Sequence, residues 1–162
     1  MADELLFVRV SGVQDVKAEL RALPPKLRRR ALMNALRAAG RVFRDEARRL
    51  TPRLQVPVFR RGVKVREPGT VRRALSVRTS KIVRRQGDLG VFVNVRPLKR
   101  GQRGANNPAD PFYWRWLEFG KQGYAARGFL QQAAKKAGEA LRRFEATLGP
   151  LVQKLNRKGA QP

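Results

Sequence analysis

The chain has no cysteine and no histidine. The first absence excludes a disulfide framework, and the two together remove thiolate and imidazole metal ligands. General acid–base catalysis by histidine is excluded as well. Acids are scarce, with 12 Asp and Glu against 37 Lys and Arg. They are also scattered. Asp3-Glu4 and Asp45-Glu46 are the only adjacent pairs, so nothing resembles the converging carboxylates of a two-metal nuclease. No apolar run is long enough to span a bilayer, and no charged-then-apolar signal segment opens the chain. No P-loop, dinucleotide fingerprint, nucleophile elbow or solenoid period occurs. These absences predict a protein that is not an enzyme, carries no metal or cofactor, and has no membrane segment.

What is present is a chain of 162 residues, 42% hydrophobic, enough for one domain with a real core. Its formal charge of +25 attracts polyanions, either nucleic acid or acidic protein neighbours. Aromatic residues make up only 7%, yet Asp110 to Ala133 holds both tryptophans, both tyrosines and Phe112, Phe119 and Phe129. Glu118 is the one acid between Asp110 and Glu139. This stretch is the densest part of a core, a contact surface, or both.

Glu4 to Val10 is β-rich and ends at Ser11-Gly12, which predicts a strand. Val13, Val16, Leu20 and Leu23 recur at helical spacing up to Pro24-Pro25. The strongest helix runs from Pro25 to Leu50. At 100° per residue Leu27, Ala31, Ala35, Ala38, Ala39, Val42 and Phe43 share one broad face. Arg30, Arg37, Arg41, Arg44 and Arg48 form a narrow stripe on the opposite side. Such a stripe is either a solvated helix back or a rail for nucleic acid or an acidic partner.

Residues 53–69 are basic and punctuated by Pro and Gly, and predict a mobile loop with a short extended piece at Val63 to Val65. Leu75 to Arg85 and Leu89 to Val95, separated by Gln86-Gly87-Asp88, predict a β-hairpin whose valine face packs on the long helix. Phe112, Trp116 and Phe119 share one helical stripe, and Tyr113 and Leu117 another. Last, Leu130, Ala134, Ala137, Leu141, Phe144, Leu148, Leu151 and Leu155 step by four and three, a heptad seam on a long helix from Phe129 to Asn156. Gly149-Pro150 should kink or break it. The predicted fold is α+β: two long helices on a small antiparallel sheet built around a hairpin, one domain over 1–156, with a frayed tail at 157–162.

The order of these features resembles the bacteriophage head–tail joining family, also called tail-completion or minor tail proteins, typified by the gene-ten product of phage HK-ninety-seven. The matching pieces are Ala38-Ala39 in the long helix, Pro52 after it, GTVRRALSV from Gly69 to Val77, YWRWLEFG from Tyr113 to Gly120, and ARGFLQQA from Ala126 to Ala133. Gly128 stands where the family usually has Pro, and Lys121 where Thr is common. The resemblance implies a structural virion protein, assembled in the host cytoplasm into a homo-oligomeric, six-fold ring at the neck. Its neighbours would be a head connector or adaptor and a tail-terminator or tail-tube protein, with DNA in the channel. Tyr113, Trp114, Glu118, Leu151 and Leu155 are the expected subunit-interface residues. For Glu118 a salt bridge to an arginine, or a charge-assisted bond fixing the Gly120 turn, stands beside the interface role. A non-viral nucleic-acid-binding protein, ribosome- or nucleoid-associated, is the alternative that the charge alone supports.

Overall fold

The computed structural model describes residues 13–159. The strand expected at Glu4 to Val10 and the last three residues of the tail lie outside the described residues. The fold is α+β, as expected. Helices α1 (Val13–Ala22) and α2 (Pro25–Leu50) lead to a hairpin, β1 (Val58–Arg60) and β2 (Val63–Arg66). Then follow α3 (Thr70–Ala74), β3 (Leu75–Thr79), α4 (Lys81–Arg85) and β4 (Val91–Val95). The chain closes with α5 (Trp114–Phe119), α6 (Phe129–Ala134) and α7 (Ala137–Gly159). Two separate antiparallel pairs, β1-β2 and β3-β4, stand where one sheet was expected.

Helix α2 is the spine. Pro25 occupies its first turn, where the missing N–H costs no intrahelical bond. Its end is set by Thr51, whose backbone N–H and hydroxyl both donate to the Ala47 carbonyl, and by Pro52 beyond. The buried residues of α2 are Ala31, Ala35, Ala38, Gly40 and Ala47, all small. Small residues let partners approach closely from two sides. Ala31 and Ala35 join Leu23, Leu148 and Val152 in one core cluster, flanked by Leu20, Leu27, Phe144 and Leu155. Ala47 joins Val71, Leu75, Val95, Phe129 and Ala133 in the other. Sheet β3-β4 therefore packs on one side of α2 and α7 on another.

In that sheet Leu75, Val77 and Thr79 face Val95, Val93 and Val91 in register. This is the expected valine face, and Gly40 of α2 meets it: a Cβ there would sit 2.8 Å from Val77 Cγ1 and 3.4 Å from Val91 Cγ2. The first strand is shorter than expected. It ends at Thr79 because Ser80 caps a helical turn, its hydroxyl accepting the Val83 N–H at 3.3 Å. Val83 closes over Gly90, where a Cβ would come within 3.1 Å of it. Ile82 and Val83, β-branched and strand-like in composition, are thus helical.

Two further expectations change. Residues 53–69 carry a hairpin of their own, turned at Arg61 and Gly62 with φ of 51° and 76°, the positive pair that a two-residue turn requires. The long C-terminal helix does not break at Gly149-Pro150; α7 runs through Pro150. The joint lies earlier, at Lys135-Lys136, where the N–H groups of both residues bond three residues back to Gln132 and Ala133. Proline costs about 3 kcal/mol inside a helix. Leu148 and Val152, both buried against α1 and α2, offset that cost by about 1.5–3 kcal/mol each. The buried residues of α6 and α7 are Phe129, Ala133, Ala140, Leu148 and Val152, and on α7 the seam residues Phe144, Leu148 and Leu155 pack in the second core cluster beside Val152.

Two glycine substitutions distinguish packing from propensity. Gly40→Ala gains about 1 kcal/mol of helix propensity but overpacks Val77 at a cost of about 1–3 kcal/mol, so the thermal midpoint should fall. Gly138→Ala, with nothing within 4 Å of its added Cβ, should raise it by up to about 1 kcal/mol equivalent. Calorimetric melts of the two variants check both signs.

Candidate functional site

The aromatic stretch folds as a helix, a reversal and a second helix held by one carboxylate. Helix α5 ends at Gly120, with φ of 78°. A Cβ there would press within 3.1 Å of the Tyr124 carbonyl and the Ala126 N–H, so glycine is required by both conformation and space. Lys121 and Tyr124 exchange two backbone bonds across the reversal, at 3.0 and 2.7 Å. The returning chain donates from Arg127 and Gly128 to the carbonyls of Leu117 and Glu118.

Glu118 then reaches the start of α6. Its Oε2 accepts the Leu130 N–H at 2.8 Å and its Oε1 the Gln131 N–H at 3.0 Å. The N-cap residue, Gly128, has no side chain to serve those donors, so Glu118 caps the helix from 12 residues away in sequence. The negative charge also faces the positive end of the helix dipole. Glu118 is 2% exposed and makes no ion pair among the described residues. Of the roles expected for it, the structure displays a charge-assisted bond, made to the α6 entry instead of to the Gly120 turn. Its carboxylate is turned inward, onto the start of α6. The other buried acid, Asp110, acts similarly: its Oδ2 accepts the Gly104 N–H at 2.5 Å and gathers the preceding loop.

This clamp decides which aromatic stripe faces out. Phe129, next to the capped N–H groups, is fully buried in the first core cluster. Tyr113, Trp114 and Leu117 pack against that cluster and are half-buried. Phe112 lies edge-on to Tyr113 and to Trp116, both at 5.6 Å, and the Arg66 guanidinium sits 4.6 Å above the Phe112 ring. Trp116, Phe119 and Tyr124 are left exposed at 39%, 64% and 71%. Lys121 Nζ stands 4.3 Å from the Trp116 ring. The outward aromatic face is therefore Trp116, Phe119 and Tyr124, whereas Tyr113 and Trp114, expected at a subunit interface, pack half-buried against the core cluster. Leu155 packs on the second cluster, and Leu151 is half-buried on the same helix.

Along α2 the arginine stripe is partly engaged. Arg44 makes a two-pronged bond to Asp45 at 2.8 and 3.1 Å, and Arg48 lies 3.9 Å from the same carboxylate. Arg48 also donates to the Leu75 carbonyl at 3.0 Å, which ties the stripe to β3, and Arg37 lies 3.5 Å from the Thr79 hydroxyl. Arg30 and Arg41 make no ion pair among the described residues and are exposed. Arg41 borders a groove of about 410 Å³ between α2 and α7, shared with Asp45, Glu46, Arg49, Glu139 and Arg143. Within it the Arg49 guanidinium bonds Glu46 at 2.6 and 2.8 Å and holds that carboxyl below the usual carboxylate range. Among the described residues no group of three or more Asp or Glu is placed to hold a metal ion, and no helix is long and apolar enough to cross a membrane.

Residues 14–120, about two-thirds of the chain, match the family model described as "Bacteriophage HK97-gp10, putative tail-component". The chain belongs to this family of phage tail components. The match takes in α2, both hairpin strands, β3, β4 and α5, and stops at Gly120, just before the reversal and the α6 entry. No curated protein and no solved structure matches the chain.

Two measurements check the site. Glu118→Ala removes the charged acceptor of two N–H donors at the α6 entry and should cost about 3 kcal/mol, lowering the melting midpoint by about 6–12 °C, with Glu118→Gln costing about half as much. Burial pushes the Tyr113 phenol up, against smaller opposing effects of the Thr70 hydroxyl and the Arg66 and Arg73 charges. The fold thus favours the neutral phenol. That contribution is complete below the unfolded tyrosine value of about 10 and is lost as pH rises through the higher folded value. In a Tyr124→Phe variant, near-ultraviolet titration should show the remaining phenol ionising above the ordinary tyrosine range.

Proposed function

We propose that this tail component is a ring-forming subunit at the head–tail junction, joining or completing the tail around the DNA channel. One observation carries the reading: with both core clusters closed, large apolar side chains remain exposed at more than one place on the subunit. Two such places are the aromatic tip of Trp116, Phe119 and Tyr124 and the β1-β2 hairpin with Val56 and Val63, and Ile82 and Phe92 are exposed on the β3-β4 unit. Two different sticky surfaces on one chain favour head-to-tail contacts, which close into rings. The outer faces of the half-buried Tyr113, Trp114, Leu151 and Leu155 border such contacts, whereas Glu118 supports them from inside. The neighbours along the tail axis are the head connector or adaptor and the tail-terminator or tail-tube protein. The arginine stripe of Arg30, Arg37, Arg41, Arg44 and Arg48 faces the DNA or an acidic partner, because so many like charges on one helix gain from a polyanion. The charge of +25 favours a second reading, a nucleic-acid-binding protein with no part in a virion.

Mass measurement and negative-stain microscopy of the purified protein separate the two. Rings, lost in a Phe119→Ser/Tyr124→Ser variant that melts like the parent, together with the protein's presence in purified virions, are the expected result. A monomer at every concentration, absent from virions and carrying RNA through high salt, would establish the second reading instead.

A further inference from the structure

A second basic concavity lies beyond the C-terminal end of α2. It is a pocket of about 540 Å³ bordered by Pro57, β2, the turn from Glu67 to Gly69, and α3. Four cations from different parts of the chain meet there, Arg53, Lys64, Arg72 and Arg73, with Glu67 as the one acid. Glu67 fixes two of them. Its Oε1 accepts from Lys64 Nζ at 2.7 Å and its Oε2 from Arg73 Nη2 at 3.3 Å. Arg73 Nη1 also donates to the Pro68 carbonyl at 2.7 Å. The Lys64 bond, more than any other effect, holds the Glu67 carboxyl below its usual range, so the arrangement stays charged at neutral pH. Arg53 and Arg72 make no hydrogen bond or ion pair among the described residues and are exposed. Gly69 forms part of the floor. Its φ is 70°, and a Cβ there would lie 3.6 Å from Arg73 Nη1 and 4.0 Å from Arg53 Cδ, so both arginines cross the glycine.

One acid among four cations leaves the concavity with a positive excess that an anion offsets, and a guanidinium matches phosphate oxygens two at a time. The hairpin adds an aromatic surface. Phe59 pairs directly with Lys64 in the β1-β2 register, so the two side chains stand on the same face of the hairpin. Phe59 is 61% exposed and belongs to neither core cluster. Cations that track a phosphate backbone, with an exposed ring beside them, suit a strand whose bases are free to stack. A duplex keeps its bases inside and offers the ring nothing.

We propose that this pocket binds single-stranded nucleic acid, with Arg53, Arg72, Lys64 and Arg73 on successive phosphates and a base stacked on Phe59. The site is separate from the arginine stripe and does not depend on ring formation.

Fluorescence anisotropy with the full chain tests it, using a labelled oligothymidylate of about ten nucleotides, a duplex of the same length, and inorganic tripolyphosphate as competitor. Arg53→Gln/Arg72→Gln should weaken strand binding about tenfold and flatten the slope of log affinity against log salt by about 1.4, two phosphate contacts on a single strand. A charge-matched Arg142→Gln/Lys154→Gln variant on α7 should change it little. Phe59→Ser should weaken the strand about tenfold and leave the duplex unchanged. All these side chains are exposed, so melting midpoints should match the parent. The proposal is overturned if the pocket variant binds the strand no worse than the charge-matched one, or if Phe59→Ser affects strand and duplex equally. Tripolyphosphate binding that the pocket variant abolishes while strand binding persists would make this a small-polyphosphate site and overturn it too.

Discussion

The bond that most of this structure depends on is the one between the Glu118 carboxylate and the first N–H groups of α6. Those donors sit beside the buried Phe129, and Gly128 provides no side chain to receive them. A buried carboxylate with two aligned backbone donors is satisfied without any second buried charge. An arginine partner would have had to bring its guanidinium into the core and satisfy every one of its own donors there. In a chain with 37 basic residues the two buried acids among the described residues, Asp110 and Glu118, both bond the backbone, while the ion pairs of the described residues lie at or near the surface. Such surface pairs contribute little to stability. The clamp instead fixes geometry. It orients α6, seats Phe129 among Ala47, Val71, Leu75 and Val95, and so turns Trp116, Phe119 and Tyr124 outward.

The second constraint is the smallness of α2. A helix lined by alanines and one glycine can be covered from two directions, and here it is, by the sheet near Gly40 and Ala47 and by α7 near Ala31 and Ala35. With so much of its circumference covered, the remaining face is where its arginines collect. Charge and packing are thus two consequences of one residue pattern. Asp45 then tempers the stripe by engaging Arg44 and touching Arg48, and Arg48 reaches back to the Leu75 carbonyl. The stripe is therefore anchored toward its C-terminal end and open around Arg30 and Arg41.

Membership of the HK97-gp10 family places the chain among phage tail components. The exposed groups fall into three sets with different physical uses: an aromatic tip, a basic helix stripe, and a hairpin that combines valines, Phe59 and nearby cations. The tip and the hairpin lose water on contact with a partner, and the stripe and the hairpin's cations gain from an anion. Both effects meet at the hairpin.

Much of the architecture was legible from residue order. Helical spacing of alanines located α2, alternating valines located β4, and the Phe112-Trp116-Phe119 stripe located α5. Period and turn residues are local properties, and local steric rules translate them directly into elements. Other features depended on distant partners. Ile82 and Val83 looked strand-like until Ser80 capped them into a helix over Gly90. Pro150 looked like a break until Leu148 and Val152 found their places on α1 and α2. Val152 stands outside the heptad seam, yet it is buried beside Phe144, Leu148 and Leu155 of that seam because α1 and α2 cover both. Glu118 shows the division most plainly. The chain alone marks it as an isolated acid in an aromatic segment, with several partners open to it. Only the folded chain, by bringing α6 back across a tight reversal, settles its partner, because a buried charge takes the nearest aligned donors and no sequence spacing encodes which those are.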